Sequence, residues 1–169
     1  LIKNYIKKSF EIALILIQRG FTKKLINGPI NKKNFLNKKF LGITEYISKN
    51  FKQKNGMLIY NEELSVCPLT THLPIKQVAQ KISVRLISEK IDIIHSFFKK
   101  ELKIRAKIAV TGLNPHCESV SKFNEDERII PRVIKKKINE GISIKGPYPA
   151  DTVFLKKNRK KFNVILGMY

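Results

Sequence analysis

The spacing of apolar and polar positions divides the chain into one-sided helices and short buried runs. From Leu1 to Gly20, Ile2, Tyr5, Ile6, Phe10, Ala13, Leu14 and Ile17 recur at helical spacing, and Gly20 closes the segment. A short strand is expected at Lys24 to Asn27, followed by a Gly28-Pro29 turn and a helical segment at Asn31 to Asn37. Thr44 is the expected N-cap of a helix whose apolar face is Tyr46, Ile47 and Phe51. Met57 to Tyr60 and Leu64 to Leu69 flank Asn61-Glu62-Glu63 as a hairpin-like connection. Pro74 suits the first turn of a helix with Val78, Ala79 and Ile82 facing inward. A longer helix, Val84 to Lys100, turns Leu86, Ile87, Ile91, Ile94, Phe97 and Phe98 to one side, and its His95 reads as a surface or interface residue.

Lys107 to Val110 is a continuous apolar run of strand length. Glu125 to Glu140 follows as a helix. Asn124 caps it, acids fill its first turn, Lys135 to Lys137 load its last turns and Gly141 ends it, a charge order that suits the helix dipole. Pro131 falls inside that pattern and predicts a kink or a late start. Ile142 to Lys145 is a short strand, Asp151-Thr152 opens a helical turn, and Asn163 to Met168 is a last buried strand. Strands alternating with helices indicate a layered α/β fold.

With 169 residues and 43% apolar composition, the chain can bury the core of one ordinary domain. It begins at Leu1 rather than Met and stops at Tyr169 inside an apolar run, so neither end reads as a natural terminus. No apolar run has the length of a membrane span, and Leu1 to Gly20 carries Lys and Glu among its apolar residues, unlike a signal peptide. The formal net charge of +21 would suit a nucleic-acid partner. However, the positive charge is mostly Lys, is spread along the chain, and comes with abundant Ile and Asn, as a compositional bias produces. No recognition motif accompanies it, and no aromatic residues are interleaved with the basic runs. Neither nucleic acid nor membrane is therefore expected as a partner. Cys67 and Cys117 form no CxxC pair, which favours a reducing, cytoplasmic setting.

Three loops carry the candidate chemistry. The Leu64 to Leu69 run ends in Thr70-Thr71-His72-Leu73-Pro74, and the Lys107 to Val110 run ends in Thr111-Gly112-Leu113-Asn114-Pro115-His116. Each delivers one His at a strand exit, where open α/β sheets gather their ligands. Gly146 to Thr152 adds Asp151 after a Gly/Pro-rich turn. Two imidazoles and a carboxylate at element ends suit a divalent-metal site. Cys117 adjoins His116, but neighbours on an extended loop point apart, so it is not expected to join that set.

TTHLP, TGLNPH and GPYPADTVF, in this order, resemble the 4-hydroxythreonine-4-phosphate dehydrogenase family of the vitamin B6 pathway. Gly28-Pro29-Ile30-Asn31-Lys32 and Gly42-Ile43-Thr44-Glu45 are similar to its GPINK and GHTE motifs. The chain looks like the middle section of the longer family members. The resemblance implies an isocitrate/isopropylmalate dehydrogenase-like α/β fold with two lobes and a cleft. It implies oxidation of the 3-hydroxyl of 4-phosphooxy-L-threonine, with NAD or NADP as hydride acceptor, and loss of carbon dioxide to give 3-amino-2-oxopropyl phosphate.

On the same resemblance, His72 and His116 match two ligands of a divalent metal (Zn, Mg, Mn or Co). Asp151 matches a carboxylate in the metal's vicinity, as ligand, orienting group or proton acceptor. The family's third metal His lies in a Tyr-His-Asp-Gln motif whose first residue would be Tyr169. Thr44 and the residue at Ile43 correspond to a substrate-binding His-Thr pair; Ile43 departs from it by replacing a hydrogen-bonding group with an apolar one. The family is a homodimer with its active site at the subunit boundary, so the Met57 to Leu69 hairpin and nearby helices are expected at that interface. No GxGxxG fingerprint is present, so no cofactor-contacting residues are assigned. Two alternatives stand beside this reading. One is a dehydrogenase of a related phosphorylated hydroxy acid, such as a four-carbon sugar-acid phosphate. The other is a non-catalytic basic binding module.

Overall fold

The computed structural model of the chain describes residues 2–31, 35–36, 40, 42–51, 54–120 and 123–169. The chain forms two compact units, Leu1–Gln53 and Lys54–Tyr169. Among the described residues no helix is long and apolar enough to cross a membrane.

The first unit is built on α1 (Ile2–Gln18) and α2 (Ile43–Phe51). Phe10 and Leu14 are buried one turn apart on the inner face of α1. Phe10 stacks on Phe35 at 5.2 Å, and Tyr46 of α2 meets Phe10, Phe35 and Phe40 edge-on at 5.7, 5.2 and 5.4 Å. Burial, and then the nearby Glu11 carboxylate, pushes the Tyr46 phenol above its ordinary value. Two expectations change here. Lys24 to Asn27 belongs to no strand, and Ile26 is 97% exposed, so among the described residues nothing pairs with it or covers it. Thr44 is not the N-cap: α2 already starts at Ile43, and the Gly42 carbonyl accepts the first helical bond from Tyr46 N–H at 3.2 Å. Of the expected Asn31 to Asn37 helix, Phe35 and Leu36 are helical and Phe35 N–H donates to Asn31 O at 3.0 Å; Lys32, Lys33, Asn34 and Asn37 lie outside the described residues.

The second unit is a four-stranded parallel sheet. Its strands are β1 (Ser65–Pro68), β2 (Ile108–Thr111), β3 (Ile144–Tyr148) and β4 (Val164–Gly167), in the order β1-β4-β2-β3. Parallel strands covered on both faces read as continuous apolar runs. Ile108 to Thr111 and Val164 to Leu166 are accordingly buried at every position. Ile108, Val110, Val164 and Leu166 face one cluster, with Ile87, Ile91, Ile94, Phe98, Val133 and Ile134 from the helices. Ala109 and Ile165 point the other way, to Val153 and Phe162. This is the two-residue alternation of a strand, applied to both faces.

The connections are helical, as parallel pairing requires. They are α3 (Ile75–Lys81), α4 (Val84–Lys100), α5 (Glu125–Arg128), α6 (Ile130–Asn139), α7 (Ala150–Val153) and α8 (Lys156–Arg159). The Val84 to Lys100 helix matches its sequence pattern, and Ser83 caps it by accepting from Leu86 N–H at 3.2 Å. Pro131 does divide the helix after Asn124: α5 stops at Arg128 and α6 starts at Ile130. Ala79 is exposed, unlike Val78, because α3 is a short helix that turns a single narrow face inward. The expected Met57 to Leu69 hairpin reduces to one antiparallel bridge, Ile59 to Val66. The Asn61 side chain, accepting from Glu63 N–H at 2.9 Å, shapes its turn.

Candidate active-site edge of the sheet

Because all four strands run parallel, their carboxyl ends share one edge. Along it the order is the His72 loop after β1, the exit of β4 at Tyr169, the His116 loop after β2, and Asp151 in α7 after β3. Two strand steps separate β1 from β2, so the two His loops leave the sheet about 10 Å apart, with the β4 exit between them.

The His72 loop is tied to β4. Leu69 donates its N–H to Gly167 O at 2.7 Å, and the buried Thr70 hydroxyl donates to Met168 O at 2.8 Å. His72 is exposed and sits in the left-handed region at φ 57°.

The His116 loop is tied from the other side. His116 and Cys117 are both left-handed, at φ 56° and 62°, in a single tight turn over Pro115–Cys117. Each such non-glycine residue costs about 1–2 kcal/mol. Against this stands Asp126, only 2% exposed. One carboxylate oxygen accepts from Leu113 N–H at 2.6 Å; the other accepts from Asn114 N–H at 3.0 Å and Asn114 Nδ2 at 2.8 Å. These three hydrogen bonds tie the loop to one buried side chain just ahead of the strained residues. Gly112 completes the packing, since a Cβ there would lie 2.7 Å from Asp126 Oδ1 and 2.7 Å from Cys117 Sγ. Burial pushes the Cys117 thiol up, and the Asp126 and then Asp151 carboxylates push it further, while the Gly112 amide works against them.

Asp151 is exposed on α7, which packs on the Pro115–Cys117 turn. Its position follows from a slip in β3. Ala109 pairs with Lys145 but Thr111 with Tyr148, and the cis Gly146–Pro147 bond lies in the extra length. Gly146 has φ +147°, and a Cβ on it would meet Val110 O at 2.5 Å. No bulkier residue fits at that slip.

The sheet edge therefore gathers His72, His116 and Asp151. Among the described residues, though, no three His, Cys, Asp or Glu side chains come close enough together to hold one ion. His72 and His116 are two exposed imidazoles on that one edge; a divalent-cation site built on them would need a third donor. Ile43 and Thr44 are the first two residues of α2 in the other unit, both half-buried, and the Thr44 carbonyl accepts from the Ser48 hydroxyl at 2.6 Å. The Asn27 to Ile30 segment lines an apolar groove with Tyr5, Phe10 and Ala13, and no described atom comes within 4 Å of a Cβ placed on Gly28. Sequence reasoning overlooked Thr70 and Asp126. Thr70 is the first residue of the Thr-Thr-His motif. Asp126 is hidden in an acidic run that helix-dipole arguments already explain.

The sequence and fold also have relatives. Residues 3–169 match the family model of the pyridoxal phosphate biosynthetic protein PdxA. A 4-hydroxythreonine-4-phosphate dehydrogenase from Erythrobacter litoralis is 33% identical over 96% of this chain and 50% of its own length. A D-threonate 4-phosphate dehydrogenase from Salmonella typhimurium is 27% identical over 97% of this chain and 50% of its own. The crystal structure of a 4-hydroxythreonine-4-phosphate dehydrogenase from Klebsiella pneumoniae superposes with a TM-score of 0.79 at 27% identity, covering 93% of this chain and 50% of that one. The chain thus spans about half the length of the curated relatives it matches.

Proposed function

Given that the chain belongs to the PdxA family, we propose that it is part of a dehydrogenase acting on 4-phosphooxy-L-threonine in vitamin B6 biosynthesis. In this reading, the substrate's 3-hydroxyl loses its proton and the same carbon gives hydride to NAD or NADP. Carbon dioxide then leaves to give 3-amino-2-oxopropyl phosphate. The observation that carries the reading is the placing of the two family-motif histidines, His72 and His116, on one sheet edge on either side of the β4 exit.

His72 and His116 would hold a divalent cation (Zn, Mg, Mn or Co), which stabilises negative charge developing on the substrate oxygen. Neutral imidazoles hold a cation without cancelling its charge. Asp151, exposed on the helix that packs against the His116 turn, would accept the hydroxyl proton or orient the group that does. By the family motif, Thr44 would bind substrate, and Ile43 would withhold the hydrogen bond that the family His supplies. The assembly follows the same reading: a homodimer with the active site at the subunit boundary and the Met57 to Leu69 segment near it.

Ile43 and the D-threonate 4-phosphate relative favour one second reading, a related phosphorylated hydroxy acid as substrate. Both are tested by following NAD(P)H formation in the full-length protein with each substrate, with and without a chelator. We expect turnover of 4-phosphooxy-L-threonine that the chelator abolishes. Turnover of D-threonate 4-phosphate alone would select the second reading, and turnover of neither would reject both.

A further inference from the structure

We propose that Asp126 is a positioning residue for His116: its buried carboxylate holds the loop after β2 in the strained form that presents the imidazole at the sheet edge. This rests on the metal-site reading of His116 above.

The carboxylate is not needed for the start of its own helix. Asn124 caps α5 by accepting from Glu127 N–H at 3.0 Å. Asp126, although in the first turn, turns away and accepts instead from the two residues that lead into Pro115-His116. Pro115 has no N–H, so Leu113 and Asn114 supply the last backbone donors before His116. Both of those donors go to the one buried carboxylate, and the Asn114 side chain adds a third. Gly112 lets the carboxylate come that close, since a Cβ there would overlap Asp126 Oδ1 at 2.7 Å. The two left-handed residues, His116 and Cys117, follow directly. Strain of this kind persists only where surrounding contacts over-determine it. Groups that orient a metal ligand from behind commonly change metal affinity 10–100-fold when removed. Asp126 is buried behind the loop and acts through it.

The test uses the full-length protein and Zn²⁺ alone, with affinity read by competition against a chromophoric chelator. Asp126→Asn should weaken Zn²⁺ binding by roughly 10–100-fold. Asn114→Ala, which removes one of the three donors and leaves the backbone bonds, should weaken it less. Val133→Ala, a buried change on α6, controls for lost stability: it should lower the melting temperature and leave Zn²⁺ affinity unchanged. Amide hydrogen exchange at Leu113 and Asn114 gives a metal-independent readout, and Asp126→Asn should speed it at least about tenfold relative to Val133→Ala. If Asp126→Asn lowers only the melting temperature, or Leu113 and Asn114 exchange no faster, the proposal is overturned. If the parent protein binds no Zn²⁺ but those two amides do lose protection, the loop lock stands and the metal reading fails. Should Asp126→Asn not fold, wild-type Zn²⁺ affinity in Asn114→Ala would overturn the proposal.

Discussion

Gly146 and Gly141 separate two costs that usually come together, and the comparison checks whether the slip in β3 fixes the Asp151 end of the sheet. Both have positive φ, +147° and +80°. At Gly141 a Cβ would meet nothing within 4 Å, so Gly141→Ala carries the backbone cost alone, about 1–2 kcal/mol. At Gly146 the Cβ would lie 2.5 Å from Val110 O, 3.2 Å from Val110 Cβ and 3.3 Å from Ile134 Cδ1. Val110 is fully buried and its strand is paired on both sides, so neither strand can move apart cheaply. Backbone strain of about 1–3 kcal/mol and overpacking of about 1–3 kcal/mol add to roughly 2–6 kcal/mol for Gly146→Ala. That is a large part of a typical stability of about 5–15 kcal/mol. With an m-value of about 2 kcal/mol per molar, the urea midpoint should fall by roughly 0.5–1 M for Gly141→Ala and roughly 1–3 M for Gly146→Ala. Equal shifts for the two variants would refute the reasoning, because they would mean that the close approach to Val110 is relieved at no cost.

Three further outcomes follow from the same contacts. Gly112→Ala has no left-handed backbone to strain, so its effect is the 2.7 Å overlap with Asp126 and Cys117; it should cost about 1–3 kcal/mol in thermal unfolding, and Cys117→Ala should give part of that back. Lys137 is nearly buried. Burial opposes its charge, but hydrogen bonds to Asp92 at 2.6 Å and Glu140 at 2.7 Å outweigh that, and its pKa is raised above 10.5. A raised amine stabilises the fold below its unfolded pKa and loses that stabilisation as pH climbs through the folded one. Lys137→Met should therefore cost roughly 1–3 kcal/mol near neutral pH, and the gap to the parent should narrow above pH 10.5 in chemical unfolding. Burial pushes the Cys67 thiol up to about 11, so at pH 8 only about one molecule in a thousand carries its thiolate; peptide mapping after iodoacetamide should show Cys117 labelled before Cys67, and the reverse order would contradict the burial.

The long helix at Val84 to Lys100 and the strands at Ile108 and Val164 were legible because their patterns are unambiguous: a one-sided stripe in the first, unbroken apolar runs in the others. Pro131 announced its own break. The Lys24 to Asn27 segment was misread because Leu25 and Ile26 imitate a buried strand, although no described residue of the first unit pairs with them. Thr44 had the chemistry of a cap, but Gly42 provided the first helical acceptor two residues earlier. The His loops were legible as strand exits; their order along the edge was not, because it depends on β4 inserting between β1 and β2, which no local pattern encodes. The roles of Asp126 and Thr70 are long-range for the same reason: Thr70 meets Met168 across 98 residues of sequence.

The most direct test of the central claim is anomalous diffraction from crystals of the full-length protein grown with Zn²⁺ and measured on either side of the zinc absorption edge. One peak is expected within about 2.0–2.1 Å of a ring nitrogen of His72 and of a ring nitrogen of His116, completed by at least one further donor. A peak bound to only one of the two imidazoles, or separate peaks at each, would contradict it.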